Sequence, residues 1–187
     1  MSFDPAFDDV MLMMPLNPSS SVSEIYLPSG ELTITSKALG ATSSATGINN
    51  YPSSWTYSAG NNVVLESGAQ LSLKNLSLTA EAWCKLTTPG STAAQNGDSQ
   101  YIARCYENLG NFINDVILGI DRSGKPFAFL GNNGSACFAT GANSVTANTW
   151  FHLAMVFSHS TKKLSLYLNG VLAASNTATA TDPAFFR

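Results

Sequence analysis

Apolar and polar residues alternate along several short segments of this chain, with little sign of the period of an amphipathic helix. The clearest segment is 78–85, where small or apolar residues occupy every second position. The positions between them hold Thr79, Glu81, Trp83 and Lys85. Successive side chains of a strand point to opposite faces. We therefore expect a strand with one buried face and a second face that carries these four residues.

Two hairpins are predicted in the second half of the chain. Residues 164–168 alternate and lead into Asn169-Gly170, a pair that tolerates the positive φ of the tightest hairpin turns. The apolar segments 116–120 and 126–130 flank a short polar turn. Residues 150–157 are apolar at nearly every position, which is typical of a central strand buried on both faces. The pattern predicts an all-β protein.

Composition agrees with short strands joined by polar turns. The chain has 187 residues, enough for one two-sheet domain, and 11% are charged, against roughly 25% in a typical soluble domain. A net charge of -3 with scattered basic residues does not favour nucleic-acid binding, which needs clustered Lys and Arg. The apolar stretch 10–14 is too short to cross a bilayer, and no basic segment precedes it as in a secretory signal. We therefore expect synthesis in a reducing cytoplasm, with mostly buried, free cysteine thiols.

Three blocks of the sequence resemble one family when they are taken together and in order. They are 78–85 (LTAEAWCK), 116–125 (VILGIDRSGK), and 150–172, which contains WFHLAMVF and LSLYLNGVL. These blocks resemble the concanavalin A-like lectin/glucanase superfamily, and most closely its laminin G-like branch. The resemblance implies a two-sheet antiparallel jelly-roll sandwich. We expect residues 1–187 to form a single laminin G-like domain.

The opening segment 4–14 resembles the first strand of laminin G-like domains in bacteriophage tail and other virion proteins. This resemblance implies a virion protein made in the host cytoplasm, with other virion subunits and further copies of itself as partners in a homo-oligomer. Members of the family normally continue beyond the position of Phe186 with a final strand, whereas this sequence stops at Arg187. We therefore expect either a longer chain or a sandwich that lacks its final strand, with an open edge for a neighbouring subunit. The alternative is an extracellular adhesion domain of a cellular protein.

No catalytic motif is found in the sequence. Hydrolases on this fold use a Glu-x-Asp-x-x-Glu strand, because retaining hydrolysis needs two carboxyl groups about 5 Å apart. Glu81 lies in a suitable strand, but Ala82 and Trp83 follow it, and no other glutamate begins the motif. There is no Gly-x-Ser-x-Gly, and His152 in an apolar strand is better explained as a core or interface residue. We predict that the protein is not an enzyme.

The polar face of segment 78–85 is the candidate ligand-binding surface. In this fold one sheet is concave, and a Trp beside a carboxylate can stack on a sugar ring and accept hydrogen bonds from its hydroxyls. We predict that Glu81, Trp83 and Lys85 bind ligand, together with Tyr106 and Asn108 from a later segment. The alternative, which is the favoured one, is that Trp83 is packed under a loop or a sheet as a core residue.

A second candidate site is a calcium-binding site among the loops at the rim of the sandwich. Ca²⁺ takes oxygen ligands from Asp, Asn and backbone carbonyls, and the laminin G-like resemblance implies such an ion between loops. The sequence offers Asp98, Asn114, Asp115 and Asp121 in or beside predicted loops. Ordinary turn residues are the alternative explanation for all four.

Two roles for a non-enzymatic domain follow from these features. In the first, the domain recognises a glycan or a protein on the host surface. In the second, it is a structural decoration or interaction module of the virion and binds no sugar. Neither role involves nucleic acid or insertion into a membrane.

Overall fold

A computed structural model describes eight stretches of the chain. They are residues 34–39, 42–44, 54–56, 62–67, 77–90, 99–108, 113–132 and 135–178. Their side chains are described within 77–90, 99–104, 115–131 and 137–178. The chain divides into two compact units, Met1–Leu71 and Ser72–Arg187. A single domain over residues 1–187 stays a prediction, and the predicted opening strand lies outside the described residues.

The first unit contains two short antiparallel strand pairs. Strand β1 (Ile34–Leu39) pairs with β4 (Asn62–Ser67). Between them in sequence, β2 (Thr42–Ser44) pairs with β3 (Ser54–Thr56). Both pairs agree with the all-β prediction.

The second unit contains two four-stranded antiparallel sheets. Its strands are β5 (Leu78–Lys85), β6 (Ser99–Asn108), β7 (Ile113–Asp121), β8 (Pro126–Asn132), β9 (Ser135–Thr140), β10 (Trp150–Ser158), β11 (Lys163–Leu168) and β12 (Val171–Thr177). One sheet has the order β12-β11-β10-β5 and is called the β5 sheet below; the other has the order β6-β7-β8-β9 and is called the β7 sheet. The prediction of an all-β jelly-roll sandwich is confirmed. Within the described stretches there is no helix, and so none long and apolar enough to span a membrane.

The core lies between the two sheets and is built from alternate residues of their central strands. Leu118 and Ile120 of β7 face Leu153 and Met155 of β10, and all four are 0% exposed. Burial of each such side chain contributes roughly 1.5–3 kcal/mol. Because strand side chains alternate, the intervening residues of both sheets point outward.

Two turns follow the sequence pattern closely. Asn169 and Gly170, between β11 and β12, have φ angles of 51° and 78°, the left-handed conformation expected of this pair. Gly124, between β7 and β8, has a φ of 79°. Both hairpins that the sequence predicts are therefore confirmed.

Strands β6 and β7 pair along most of their length, from Ser99–Asp121 to Asn108–Ile113. The sequence places Asn114 and Asp115 in or beside a predicted loop, whereas both lie within β7. Tyr106 pairs with Asp115, and Asn108 pairs with Ile113. Asn and Asp are poor strand formers, but strand preference depends strongly on context and is overridden when a partner strand is in place.

Candidate ligand-binding site

The outward face of the β5 sheet carries the ligand-binding residues that the sequence predicts on β5. Exposure alternates along this strand, and Thr79, Glu81, Trp83 and Lys85 are the exposed residues. Directly opposite residues of an antiparallel pair lie on the same face, so the register extends this surface across the sheet. We name it the Trp83 face. Its members are Thr79, Glu81, Trp83, Lys85, Trp150, His152, Ala154, Val156, Ser158, Lys163, Ser165, Tyr167, Leu172, Ser175 and Thr177.

Trp83 is directed away from the core. Its side chain is 49% exposed, so the alternative of a packed core tryptophan is wrong. The core side of β5 is taken by smaller residues, among them Leu78, Ala80 and Cys84, which pack against the buried cluster. The two-residue period of the strand leaves Trp83 on the opposite side.

His152 joins Trp83 and Glu81 into one cluster. It lies opposite Trp83 in the register of β10 and β5, and the two ring centroids are 5.1 Å apart, with the planes at 49°. Nε2 of His152 lies 3.5 Å from Oε2 of Glu81. The Glu81 side chain is 63% exposed. An aromatic surface and a solvent-facing carboxylate are thus within reach of one small polar ligand.

The turn between β11 and β12 fixes the backbone at His152. The His152 N–H donates to Oδ1 of Asn169 at 2.9 Å, and the Asn169 N–H donates to the His152 carbonyl at 2.8 Å. These two hydrogen bonds fix the backbone of β10 at the residue that carries the imidazole. The Asn-Gly hairpin therefore supports the position of the ring beside Trp83.

A second indole lies at one end of the Trp83 face. Trp150 is opposite Lys85 in the register, and the Lys85 ammonium lies 5.7 Å from the centre of the Trp150 ring. Such a cation–π contact contributes about 0.5–1 kcal/mol at an exposed site. Because Lys85 covers part of the Trp150 ring, Trp83 offers the more accessible aromatic surface.

Small side chains lie in the middle of the same face. Ala154 on β10 is 7% exposed and Ser165 on β11 is 9% exposed, although both point outward. Larger side chains flank them, since Tyr167 lies opposite Ala154 and Val156 lies opposite Ser165. The flanking side chains therefore cover Ala154 and Ser165 from solvent.

The reverse side of β5 is unsuited to nucleophilic chemistry. Burial raises the pKa of the Cys84 thiol to about 12. Cys137 on β9 is 1% exposed, and burial raises the pKa of its thiol too. A thiol reacts as its thiolate, and at neutral pH both groups keep their protons. Both are free cysteines, as the sequence predicts.

Asp115, one of the residues predicted to hold Ca²⁺, is paired with an arginine. Its carboxylate is 7% exposed and accepts hydrogen bonds from Nε of Arg104 at 2.8 Å and from Nη2 at 2.6 Å. The Arg104 guanidinium also lies over the Tyr101 ring, 5.3 Å from its centre. Asp115 is thus a partner in a strand-to-strand ion pair, and its two oxygens are engaged.

The other predicted calcium ligands are not brought together with Asp115. Oδ1 of Asp121 accepts the backbone N–H of Ser123 at 2.8 Å and that of Lys125 at 2.9 Å, which stabilises the turn after β7. Asp98 and the side chain of Asn114 lie outside the described residues. Over the stretches that the structure describes, no group of three or more His, Cys, Asp or Glu residues could hold a metal ion. Calcium binding stays a prediction.

The structure brings together three of the five predicted ligand-binding residues. Glu81, Trp83 and Lys85 share the Trp83 face. Tyr106 and Asn108 lie on β6, in the other sheet, and their side chains are outside the described ones.

Sequence reasoning missed three members of the candidate site. His152 is interpreted from sequence as a core or interface residue, and no role is given to Trp150 or Tyr167. Trp150 and His152 lie on an apolar strand, where hydrophobicity does not distinguish the two faces, and Tyr167 lies on an alternating strand to which no binding role is given from sequence. The signal that finds them is the register, because it places His152 opposite the exposed Trp83.

A laminin G family model, described as the Concanavalin A-like lectin/glucanases superfamily, matches residues 57–186. The match covers well over half of the 187 residues. The chain belongs to the concanavalin A-like lectin/glucanases superfamily. The resemblance of the three sequence blocks to this superfamily is confirmed. The narrower resemblance to bacteriophage virion proteins stays a prediction.

Comparison with individual proteins adds one structural similarity. No curated protein is significantly similar to the chain in sequence. The crystal structure of native heptameric SAP-like pentraxin from Limulus polyphemus is similar at 18% sequence identity and a TM-score of 0.38. The similarity covers 54% of this chain and 43% of the pentraxin chain, so it spans less than half of that chain's length.

Proposed function

We propose that this domain is a non-enzymatic, lectin-like binding module and that its Trp83 face binds a glycan. The observation that carries the proposal is the exposed Trp83 ring beside His152 and Glu81, with ring centroids 5.1 Å apart and the His152 and Glu81 atoms at 3.5 Å. Membership of a superfamily named for lectins and glucanases supports it.

The chemistry of this cluster suits a sugar. A pyranose has an apolar face that packs on an indole ring, and its hydroxyls need polar partners at the rim of that contact. Glu81 accepts hydrogen bonds and Lys85 donates them. Each ring nitrogen of His152 donates or accepts, depending on the tautomer. The cluster thus offers both donors and acceptors around one exposed aromatic surface.

The same cluster favours binding without hydrolysis. Glycoside hydrolysis uses two carboxyl groups on either side of the scissile bond. Among the described side chains of the Trp83 face, Glu81 is the single carboxylate. The arrangement therefore supports a site that holds a sugar and leaves its bonds intact.

We further propose that the glycan belongs to a host surface and that the domain acts on a virion, in a homo-oligomer with other virion subunits. The support is the resemblance of residues 4–14 to virion proteins, in a segment outside the described residues. A host-surface protein is the alternative ligand, and an extracellular adhesion domain is the alternative setting.

Glycan-array binding by the wild-type chain and two variants tests the proposal. Trp83→Ala is expected to weaken binding at least tenfold, because it removes the stacking surface. Phe138→Ala is the matched control, since it removes an aromatic ring that is 53% exposed on the β7 sheet, and it is expected to bind as the wild type does. A blank wild-type array, or equal losses in both variants, would contradict the proposal and favour a structural module.

The same array tests the calcium prediction. Binding in the presence of a chelator is compared with binding in added Ca²⁺. Loss of signal with the chelator supports a calcium-dependent site, and an unchanged signal rejects one.

A further inference from the structure

His152 is the histidine of the Trp83 face, and it contacts both groups that the proposed site offers to a ligand. Its side chain is 22% exposed, and the Glu81 carboxylate and the Trp83 indole both lie against it. Histidine is the side chain that ordinarily gains or loses a proton between pH 5 and 8. The charge of this one ring therefore acts on the carboxylate and on the indole together.

The distance between His152 and Glu81 leaves room for a shorter contact. Nε2 of His152 and Oε2 of Glu81 are 3.5 Å apart, whereas a charge-assisted N–H···O bond is about 2.7–2.9 Å long. A protonated imidazole carries an N–H on both ring nitrogens, so it always has a donor for the carboxylate. Because the Glu81 side chain is 63% exposed, it is free to turn toward the ring over this short distance.

The contact with Trp83 also favours a charged ring. The two ring centroids are 5.1 Å apart, which is within the roughly 6 Å over which a cation is attracted to an aromatic ring. The planes meet at 49°, so the imidazole is tilted against the indole. A positive charge on His152 is thus attracted by both of its neighbours on β5.

The other ionisable groups that face His152 are Lys85 and Tyr167. Glu81 and Lys85 hold the two positions of β5 diagonal to His152, and Tyr167 holds the diagonal position of β11. Lys85 opposes a positive charge on the imidazole, but its ammonium lies over the Trp150 ring, 5.7 Å from the ring centre. Among the described side chains of the face, Glu81 is the charged group at contact distance from the imidazole.

The backbone of His152 is fixed by Asn169. The His152 N–H and the His152 carbonyl each form a hydrogen bond with this residue, at 2.9 Å and 2.8 Å. A change in the charge of the imidazole is therefore met by movement of side chains, and strand β10 stays in place.

We propose that His152 is a pH-sensitive switch on the Trp83 face: a protonated His152 pairs with Glu81 and withdraws the carboxylate from a ligand, whereas a neutral His152 leaves it available. The effect on ligand binding rests on the proposed function, but the pairing itself does not. A carboxylate bound to an imidazolium has fewer lone pairs left to accept hydrogen bonds from the hydroxyls of a ligand. Ligand binding therefore weakens as the pH falls.

Tryptophan fluorescence of the free protein tests the contact with Trp83. A protonated imidazole lowers the emission of an adjacent indole, because the excited indole donates an electron to the cation. Wild-type emission is expected to fall between pH 8 and pH 5, and this transition should be lost in His152→Gln and in Trp83→Phe. His159→Gln, which removes the other histidine of the chain, is the matched control and should keep it. A transition that is absent from the wild type, or that persists in His152→Gln, would overturn the inference.

A double-variant cycle tests the pairing with Glu81. The wild type, His152→Gln, Glu81→Gln and the double variant are unfolded in urea at pH 5 and at pH 8, after circular dichroism has shown that each is folded. The two substitutions are expected to be coupled at pH 5 and independent at pH 8, because a charged imidazole attracts the carboxylate and a neutral one does not. Equal coupling at both pH values would show that the pairing does not depend on the proton, and the switch would be rejected.

The glycan array, repeated at pH 5 and pH 8, tests the effect on binding. Glycans bound by the wild type at pH 8 are expected to bind about threefold more weakly at pH 5, which is the size expected of a partly exposed ion pair. In His152→Gln, the ratio of the two signals should be close to one. Equal wild-type signals at both pH values would refute the switch and leave the proposed function standing. A blank array at both would refute the proposed function, while the fluorescence and the cycle still decide whether a proton on His152 brings Glu81 to it.

Discussion

The outward faces of the two sheets both carry aromatic residues, but they use them differently. On the β5 sheet, Trp83 is 49% exposed and has polar neighbours at its edge. On the β7 sheet, Phe127 is 8% exposed and Ile117 is 6% exposed, although neither belongs to the core between the sheets. The Trp83 face leaves an indole open beside polar groups, whereas the central strand β8 of the β7 sheet buries Phe127; Phe138, on the edge strand β9 of that sheet, is 53% exposed.

Two glycines on the central strands of the β7 sheet explain how the rings of Phe127 and Phe129 are packed. A Cβ atom added at Gly119 would lie 2.9 Å from Cε1 of Phe127 and 2.7 Å from the carbonyl oxygen of Gln100. A Cβ atom at Gly131 would overlap the Phe129 ring. Both phenylalanine rings therefore lie over the space that a glycine leaves, which is the way aromatic residues compensate for glycine in a strand.

The comparison shows that an aromatic residue on an outward face does not by itself indicate a binding site. Exposure alone does not distinguish Trp83, since Phe138 on the β7 sheet is 53% exposed; what distinguishes Trp83 is that Glu81 and His152 lie at its side. The rings of Phe127 and Phe129 are engaged within their own sheet. We infer that Phe127 and Phe129 stabilise the β7 sheet, in contrast to the binding role proposed for Trp83.

The largest effect on the free energy of unfolding is expected when a single aromatic ring is removed, and its size should differ between the two faces. Phe127→Ala should lower the free energy of unfolding by about 3 kcal/mol, because a nearly buried phenylalanine leaves a cavity. Trp83→Ala should lower it by about 1 kcal/mol or less, since half of its surface is exposed in the folded protein. Urea unfolding of the three chains measures both values. A larger loss for Trp83→Ala than for Phe127→Ala would reverse the roles assigned to the two faces.

The next largest effect on stability is expected when one member of an ion pair is removed, and it should differ between the two sheets. Arg104→Ala should destabilise the protein by about 3 kcal/mol, because it leaves the carboxylate of Asp115 buried without its bidentate partner. Glu81→Ala should change stability by no more than about 0.5 kcal/mol, because the Glu81 side chain is 63% exposed. Thermal or urea unfolding checks both variants.

A double variant serves as the control for the Arg104 effect. In Arg104→Ala with Asp115→Ala the unpaired carboxylate is gone, so part of the lost stability should return. If the double variant is no more stable than Arg104→Ala alone, the cost does not come from an unpaired charge. The expected contrast with Glu81 would then have another cause.

Much of this fold is predictable from the sequence, because short-range rules determine it. The alternation along β5, the Asn169-Gly170 turn and the apolar central strand β10 all follow from local patterns and are confirmed. The exposed polar face of β5 is predictable for the same reason. Two-residue periodicity assigns Glu81 and Trp83 to one side without knowledge of any partner strand.

The parts of the fold and of the candidate site that local patterns do not predict depend on pairing between distant segments. His152 joins the site through the register of β10 against β5, and no local pattern gives that register. Asp115 is assigned to a calcium site from its residue type, whereas its partner is Arg104 on the neighbouring strand. Carboxylates in polar segments suit a metal and an arginine equally well, so residue type alone does not distinguish the two.

The smallest effect on stability is expected at the contact between Gly131 and the Phe129 ring on the β7 sheet. Replacing a strand glycine by alanine normally gains about 0.5–1 kcal/mol, because glycine loses more conformational entropy on folding. Gly131→Ala should instead cost about 1–2 kcal/mol, since the added methyl group displaces the Phe129 ring. In a Phe129→Ala background the same substitution should be neutral or stabilising, and urea unfolding of the four chains gives the coupling between the two sites. A cost that persists without the ring would show that the backbone, and not the aromatic side chain, requires glycine at this position. The packing of Phe129 over Gly131 would then not be part of the contrast between the β7 face and the open ring of Trp83, and Phe127 over Gly119 would be left to carry it.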